Sequence, residues 1–384
     1  MLDANQRSAL AVTRSLGRQG VPVITADESS TALASQSRYS ESYLKYPSPR
    51  YQSEDFIAFI IAVTDQHEIE IIMPMTELTT TLLLAQRDAL GGVVLPFADA
   101  TAVDTLTDKC QLMQLAEELE VPIPRTWYVT DPMGLPDNLS SLPYPLILKP
   151  GKSWQTFDHI WRRNGVHLAH SVDEARTLLT SDLAFSRAYM LQECVPGEGR
   201  GIFALYDQGR PITFFAHRRL REKPPSGGVS VLSESAAPDP RMLAHARALL
   251  DRVGWHGVAM VEFKFDPQTQ IPYLMEVNTR FWGSLQLAVD AGVDFPWWLY
   301  QMACGMTLKP TESYRTGLRT RWLLGDLDNL YLNLRNKELG KTEKLRCLLR
   351  FMTPRPRTRH EVNRWSDLRP FWWELRQYVR DLLS

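Results

Sequence analysis

Over the first hundred residues the apolar positions change period repeatedly. In RSALAVTRSLGRQG, residues Ala9, Leu10, Val12 and Leu16 form one helical stripe, and Gly20 suits the exit. VPVITA, IEIIMP and GVVLP are short apolar runs that read as strands. TELTTTLLLAQRDAL, after the second run, reads as a helix. The alternation predicts a parallel α/β layer domain over residues 1 to about 100. Only MLD precedes the first helix, so the opening strand is expected to be a stub or trimmed. No G-x-G-x-x-G follows a strand, which excludes the dinucleotide fingerprint.

The period changes again beyond residue 105. TDKCQLMQLAEELEVPIPRT predicts a helix with Thr107 as N-cap, ended by Pro122 and Pro124. PLILKP predicts a strand. SVDEARTLL predicts a helix opened by a capping box of Ser171 and Glu174, and AYMLQECVPG a strand running into a turn. ALYDQGRPITFFAHRRLRE reads as a hairpin turning at Gln208-Gly209. Asp239 and Pro240 read as N-cap and first residue of a helix that stops at Gly254. GVAMVEFKFDPQTQIPYLMEVNTRF reads as a second hairpin, and beyond Cys304 the chain turns helical and basic.

The second hairpin holds the least ordinary pattern. In LMEVNTRFWGSLQLA, Glu276, Asn278 and Arg280 fall at every second position, so a strand projects all three to one face. A bare carboxylate facing a core is costly, so this face needs a charged partner or an open cleft. Glu262 lies on the preceding strand, and a tight antiparallel pair brings it within reach of Glu276 and Asn278. Two carboxylates and an amide carbonyl make a hard oxygen set suited to Mg²⁺, with substrate phosphates as further ligands. Lys149 ends an apolar strand, an expensive place for an ammonium that meets no anion. Lys109 sits at a helix start, where the dipole disfavours a cation. Arg218, Arg219 and Arg221 precede the flexible EKPPSGG. Alternation would put Arg219 and Arg221 on one face, ready to clamp an acidic substrate.

Composition narrows the class. Of 384 residues, 44% are hydrophobic and 23% charged, as in ordinary globular chains, and the length suits two or three domains. A formal net charge of −1 argues against a general polyanion or nucleic-acid binder. There is no twenty-residue apolar span and no signal-peptide pattern. Cys110, Cys194, Cys304 and Cys347 are scattered without a C-x-x-C pair, so reduced thiols in a cytoplasmic protein are expected. Residues 335–384 hold 13 Lys or Arg against 6 Asp or Glu, a net of +7, which leaves −8 for the rest. This basic, Trp- and Phe-containing tail suits an anionic membrane surface or a partner. The simpler expectation is that its aromatics pack on the body of the molecule.

Taken in order, DKCQLMQLAEELEVPIPRT, YPLILKP, LQECVPGEGRG, VAMVEFKFD and LMEVNTRFWGS resemble the ATP-grasp superfamily over roughly residues 105–305. The resemblance is to its carbamoyl-phosphate-synthase-like and biotin-carboxylase-like branch. Within that branch, HRRLREKPPSGGVS and AGVDFPWWLYQMACG look like the carboxylate–amine ligases. It implies an α/β and α+β chain: a Rossmann-like pre-ATP-grasp domain over 1–104, an ATP-grasp domain over 105–310 with a small lid at about 125–192, and a helical, basic segment over 311–384.

By position, the resemblance implies that Lys109 and Lys149 contact nucleotide phosphates or adenine. Glu193 and the backbone at Cys194 and Val195 hold the adenine edge, with Glu198 near the ribose. Glu262, Glu276 and Asn278 bind Mg²⁺ or Mn²⁺, and Arg280 stabilises the transferring phosphoryl group. The implied enzyme is an ADP-forming carbon–nitrogen ligase acting on a small acid and a small amine, as a monomer or homo-oligomer. Its alternatives are a bicarbonate-using carboxylase, a carbamoyl-phosphate-type enzyme and a non-catalytic nucleotide-binding regulator. One departure stands out. The glycine-rich loop usual after the second lysine is replaced by GKSWQTFDHIWRRNG, with Trp154, Phe157 and Trp161.

Overall fold

The computed structural model describes residues 1–132, 134–136, 138–311, 313–353 and 358–383. At its amino-terminal end, α1 (Arg7–Arg18), β1 (Ile24–Asp27), β2 (Ser42–Lys45), α2 (Ser53–Gln66), α3 (Glu77–Ala85) and α4 (Ala100–Thr107) surround a parallel ladder. β1 pairs with β2 in parallel. Residues 1–4 supply the expected stub: Ala26 N–H donates to Met1 O at 2.8 Å, and Leu2 N–H to Met73 O at 3.1 Å. IEIIMP and GVVLP, expected as full strands, meet in a single parallel bridge, Ile71 to Val94. Pro74 and Pro96 remove the next donors and end each run.

α5 (Lys109–Glu118) leads into a four-stranded antiparallel sheet in the order β3-β8-β4-β7. Its parts are β3 (Thr126–Val129), β4 (Leu146–Pro150), β7 (His167–Ala169), α6 (Val172–Ser181) and β8 (Tyr189–Glu193). Between β4 and β7 stands a separate hairpin of β5 (Trp154–Phe157) and β6 (Ile160–Arg163). Asp158 and His159 turn it with φ of 49° and 62°, the positive values of a primed turn. This hairpin occupies the place of the usual glycine-rich loop. Trp161 N–H donates to Arg50 O at 3.1 Å and Arg50 Nε to Trp161 O at 3.0 Å, which ties it to the amino-terminal layer. At α6, Ser171 accepts from Glu174 N–H as expected, but the Glu174 carboxylate accepts from His170 N–H instead of closing the box.

β9 (Glu198–Asp207), β10 (Arg210–Lys223), β11 (Val229–Ala236), α7 (Pro240–Arg252), β12 (Gly257–Phe265) and β13 (Pro272–Asn278) follow, then α8 (Leu285–Ala291), α9 (Phe295–Ala303) and β14 (Arg319–Arg321). The last elements are α10 (Leu323–Arg335), α11 (Lys341–Met352), β15 (Thr358–His360) and α12 (Arg369–Leu383). The strands form one sheet in the order β13-β12-β9-β10-β11-β14-β15. Gln208 and Gly209, both at positive φ, make the β9–β10 turn.

One face of this sheet buries Ala204, Tyr206 and Val261 against Leu112 of α5 and Leu249 of α7. The other buries Phe203, Phe215 and Met260 against Leu10 of α1, Leu287 of α8 and Phe295 of α9. Phe203 packs on Trp282, tilted, at 4.3 Å between ring centres, and its truncation to Ala would cost about 3–5 kcal/mol.

The tail is stapled to α1. The buried Arg14 guanidinium bonds the Asp367 carboxylate at 2.8 Å and the carbonyls of Glu361, Val362 and Asp367. Phe371 and Trp373 pack on the body as expected, whereas Trp365, 94% exposed, and Trp372 do not. Among the described residues no helix is long and apolar enough to cross a membrane. All four cysteines are free thiols.

Candidate active site

The β12–β13 hairpin pairs Met260 with Asn278, Val261 with Val277 and Glu262 with Glu276. Paired residues share a face, so Val277 goes to the core while Glu262, Glu276 and Asn278 project together. The register slips immediately beyond Glu262, an irregularity that lets Leu274 keep its place in the core. Asn278 Nδ2 donates to Glu276 Oε1 at 2.9 Å. Burial raises Glu262 to about 7; Arg219 opposes this and Glu276 adds to it. Burial also works to raise Glu276. Lys109, the Asn278 amide and Lys149 outweigh it and hold this carboxyl below its ordinary value.

One helix and two strands bring the cations. Thr107, expected as N-cap, closes α4; Asp108 caps α5 instead, accepting from Cys110 and Gln111 N–H at 3.0 and 3.1 Å. Lys109, 7% exposed, therefore starts α5 and donates to Ser153 Oγ at 2.8 Å. Lys149, 8% exposed, comes from β4; burial pushes it down to about 8, while Glu276 and Glu262 support its charge. Arg280 follows β13 and donates to Phe281 O at 2.9 Å. Burial lowers it, and Glu77 and Glu276 oppose that.

A cavity of about 250 Å³ opens beside these groups, and Glu262 and Lys149 are not part of its wall. Lys109, Glu276, Asn278 and Arg280 line it, together with Trp154, which the sequence marked only as a departure from a glycine-rich loop, and Glu77, Ser153 and Arg163, which sequence reasoning did not single out. Glu77 is the first residue of α3 behind the N-cap Thr76, so in sequence it looks like an ordinary helix-start acid. Its carboxyl is raised by burial against the pull of Lys109 and Arg280. Trp154 and Arg163 pair across the β5–β6 hairpin.

The expected adenine-edge residues lie elsewhere. Glu193 ends β8, exposed, with its N–H on Arg125 O at 2.9 Å. Cys194 is half-buried, Val195 buried, and Glu198 pairs with Arg200 at the start of β9. None of the four lines the cavity. Gly197 turns this segment at φ 133°, where a Cβ would sit 2.4 Å from Phe265 O.

Arg219 and Arg221 do not share a face. The β10–β11 register slips between Arg219, opposite Ser233, and Arg221, opposite Leu232. The extra residue reverses the alternation. Arg219 Nη2 donates to Glu262 at 2.5 Å and Nη1 to Glu222 at 3.1 Å and Gly228 O at 3.2 Å. Arg221 turns away to Asp326 of α10 at 2.6 Å.

Two carboxylates and an amide carbonyl form an all-oxygen set, the chemistry Mg²⁺ prefers, and a cation would favour the charged form of Glu262 that burial, with Glu276 adding to it, disfavours. Among the described residues no group of three or more His, Cys, Asp or Glu is placed to hold a metal.

Residues 185–325 match the family model described as an ATP-grasp in the biosynthetic pathway with Ter operon. D-aspartate ligase of Enterococcus faecium is 21% identical over 198 residues, 49% of this chain and 47% of that protein. D-alanine–D-alanine ligase of Granulibacter bethesdensis is 27% identical over 149 residues, 36% of this chain and 46% of that protein. The chain thus spans about half the length of these curated relatives. Among solved structures, biotin carboxylase of Campylobacter jejuni superposes with a TM-score of 0.64 at 16% identity, over 83% of this chain and 73% of that one. L-amino acid ligase of Bacillus licheniformis gives 0.61 at 18% identity, over 81% and 74%. Residues 185–325, less than half of the chain, thus match an ATP-grasp family model, and the fold of the chain is similar to that of biotin carboxylase.

Proposed function

We propose that this protein is an ATP- and Mg²⁺-dependent ligase, which activates a substrate carboxylate as an acyl phosphate for attack by an amine and releases ADP and phosphate. The observation that carries this reading is the convergence of Lys109, Lys149 and Arg280 on the Glu276 carboxylate, with Glu262 paired beside it. Phosphoryl transfer is mostly positioning and charge neutralisation, and these groups come from separate elements for that purpose. Glu262, Glu276 and Asn278 would hold Mg²⁺, which neutralises phosphate charge when bound.

Lys109 and Lys149 are assigned to nucleotide phosphates, with Arg280 at the transferring phosphoryl group. Glu193, Cys194, Val195 and Glu198 border the adenine and ribose, reached by a swing of the lid. Arg219 links Glu262 to the Gly228 end of the PPSGG loop and is assigned to the acceptor side. Arg221, held by Asp326, is not. Residues 1–104 are assigned to a Rossmann-like domain, 105–310 to the ATP-grasp domain and 311–384 to the helical tail of a cytoplasmic enzyme.

The names of the curated relatives make amino acids the first acids and amines to try. An ADP-release screen of acids crossed with amines, with mass detection of the product, tests the reading. An amide product that needs ATP, acid and amine together is expected. ADP release driven by bicarbonate alone would replace the ligase with a carboxylase.

A further inference from the structure

The face of the large sheet turned away from Glu262 carries a second charge cluster that the ligase reading does not use. Arg218 of β10, Glu234 of β11 and Arg319 of β14 stand opposite one another in the register, and their neighbours Arg219, Ser233 and Thr320 occupy the other face. Arg218 donates to Glu234 Oε1 and Arg319 to Oε2, both at 2.5 Å. Arg221 and Arg321 converge in the same way on Asp326, at 2.6 and 2.5 Å. Arg350 of α11 reaches the same place, and its carbonyl accepts from Arg221.

Arg218, Arg221, Arg319, Asp326 and Arg350 line a cavity of about 440 Å³ roofed by α10 and α11, and Arg321 lines a smaller one of about 130 Å³ beside it. Five guanidiniums meet two carboxylates, an excess of three positive charges. Glu222, the other acid on the wall, is already paired with Arg219. Arg321 Nη2 is buried without a hydrogen-bond partner. Every cation on the described walls is an arginine, whose planar fork matches phosphate oxygens better than an ammonium does. Like charges held together in a half-buried pocket repel, and an anion relieves that repulsion.

We propose that this cavity is a second anion site, separate from the nucleotide site, that takes a phosphate group with at least two anionic oxygens. The phosphate can arrive on a soluble ester or on a lipid headgroup. α11 turns Cys347 and Phe351 to the cavity and leaves Leu345, Leu349 and Met352 exposed, so an acyl chain would have an apolar track beside the pocket.

The test uses the whole chain with EDTA present, so that no metal reports on the nucleotide site. Pyrophosphate is titrated calorimetrically, and flotation compares phosphatidylcholine vesicles with and without phosphatidic acid. The variants are Arg350→Glu, an exposed position outside the ion pairs above, and Lys149→Ala. Pyrophosphate binding weakened about tenfold or more by Arg350→Glu, and changed less than about twofold by Lys149→Ala, supports a soluble ligand. Flotation that needs phosphatidic acid and is lost in Arg350→Glu supports a lipid headgroup. Binding of neither probe overturns the proposal, as does binding that Lys149→Ala abolishes, or flotation that Arg350→Glu leaves unchanged.

Discussion

β10 carries three arginines within four residues, and its two faces use them differently. On one face Arg219 meets Glu262 and Glu222 beside the acidic hairpin, where carboxylates outnumber local arginines and the balancing lysines come from α5 and β4. On the other, Arg218 and Arg221 join arginines of β14 and α11, and cations outnumber acids. The first face leaves a gap that a metal ion and phosphates can fill; the second leaves one for an anion alone. Side chains identical in chemistry thus take different tasks according to register.

The largest effect that would break the comparison lies on the acidic face. Glu276→Gln keeps the side-chain volume and removes one negative charge, and should lower turnover by about 10³-fold or more with the fold retained. A folded variant with near-parent ADP release would sink the metal assignment. Arg280→Lys should lower turnover by roughly 100-fold, because a point ammonium cannot replace a planar fork.

His217 sharpens the comparison through pH. It lies beneath Arg219 on the acidic face, bonded to Ser284 Oγ at 2.9 Å. Burial, with Arg219 adding to it, pushes the imidazole down to about 3 from 6.5. The unfolded chain takes up this proton near 6.5 and the folded chain does not. The contribution is therefore whole above 6.5 and is lost as pH falls toward 3. Between pH 7 and 5 it should account for about 2 kcal/mol of lost stability. Urea unfolding at the two pH values, on the parent and on His217→Gln, checks this; an identical pH loss in the variant would contradict it.

The smallest effect separates neighbouring arginines. Arg219→Ala should raise the KM for the acid substrate about tenfold, about 1.4 kcal/mol, while Arg221→Ala leaves it within about twofold. Steady-state kinetics with the acid varied at saturating Mg·ATP decides, and equal effects would erase the distinction between faces.

The β9–β10 and β12–β13 hairpins of the large sheet were legible in the sequence, because turn residues and alternation are local. Glu262, Glu276 and Asn278 were legible for the same reason: adjacent antiparallel strands fix which side chains meet. Glu77 was not. It reaches Arg280 through the packing of α3 against the rest of the chain, and nothing within its own helix marks it. Arg221 was misplaced because one extra residue reverses alternation, and neither Arg219 nor Leu220 signals the slip. The Arg14–Asp367 pair, 353 positions apart, is invisible to any periodicity.

The β5–β6 hairpin is held by reciprocal bonds between Trp161 and Arg50, and its Trp154 and Arg163 line the cavity. Substrate entry by lifting that hairpin must first expose the Trp161 amide to water. Deuterium uptake at that one amide therefore clocks the opening, against a background of amides locked in the sheets. Trapping nucleotide beneath the hairpin would slow the clock, and Arg50→Pro would leave its Nε–H bond unmade and make it run fast.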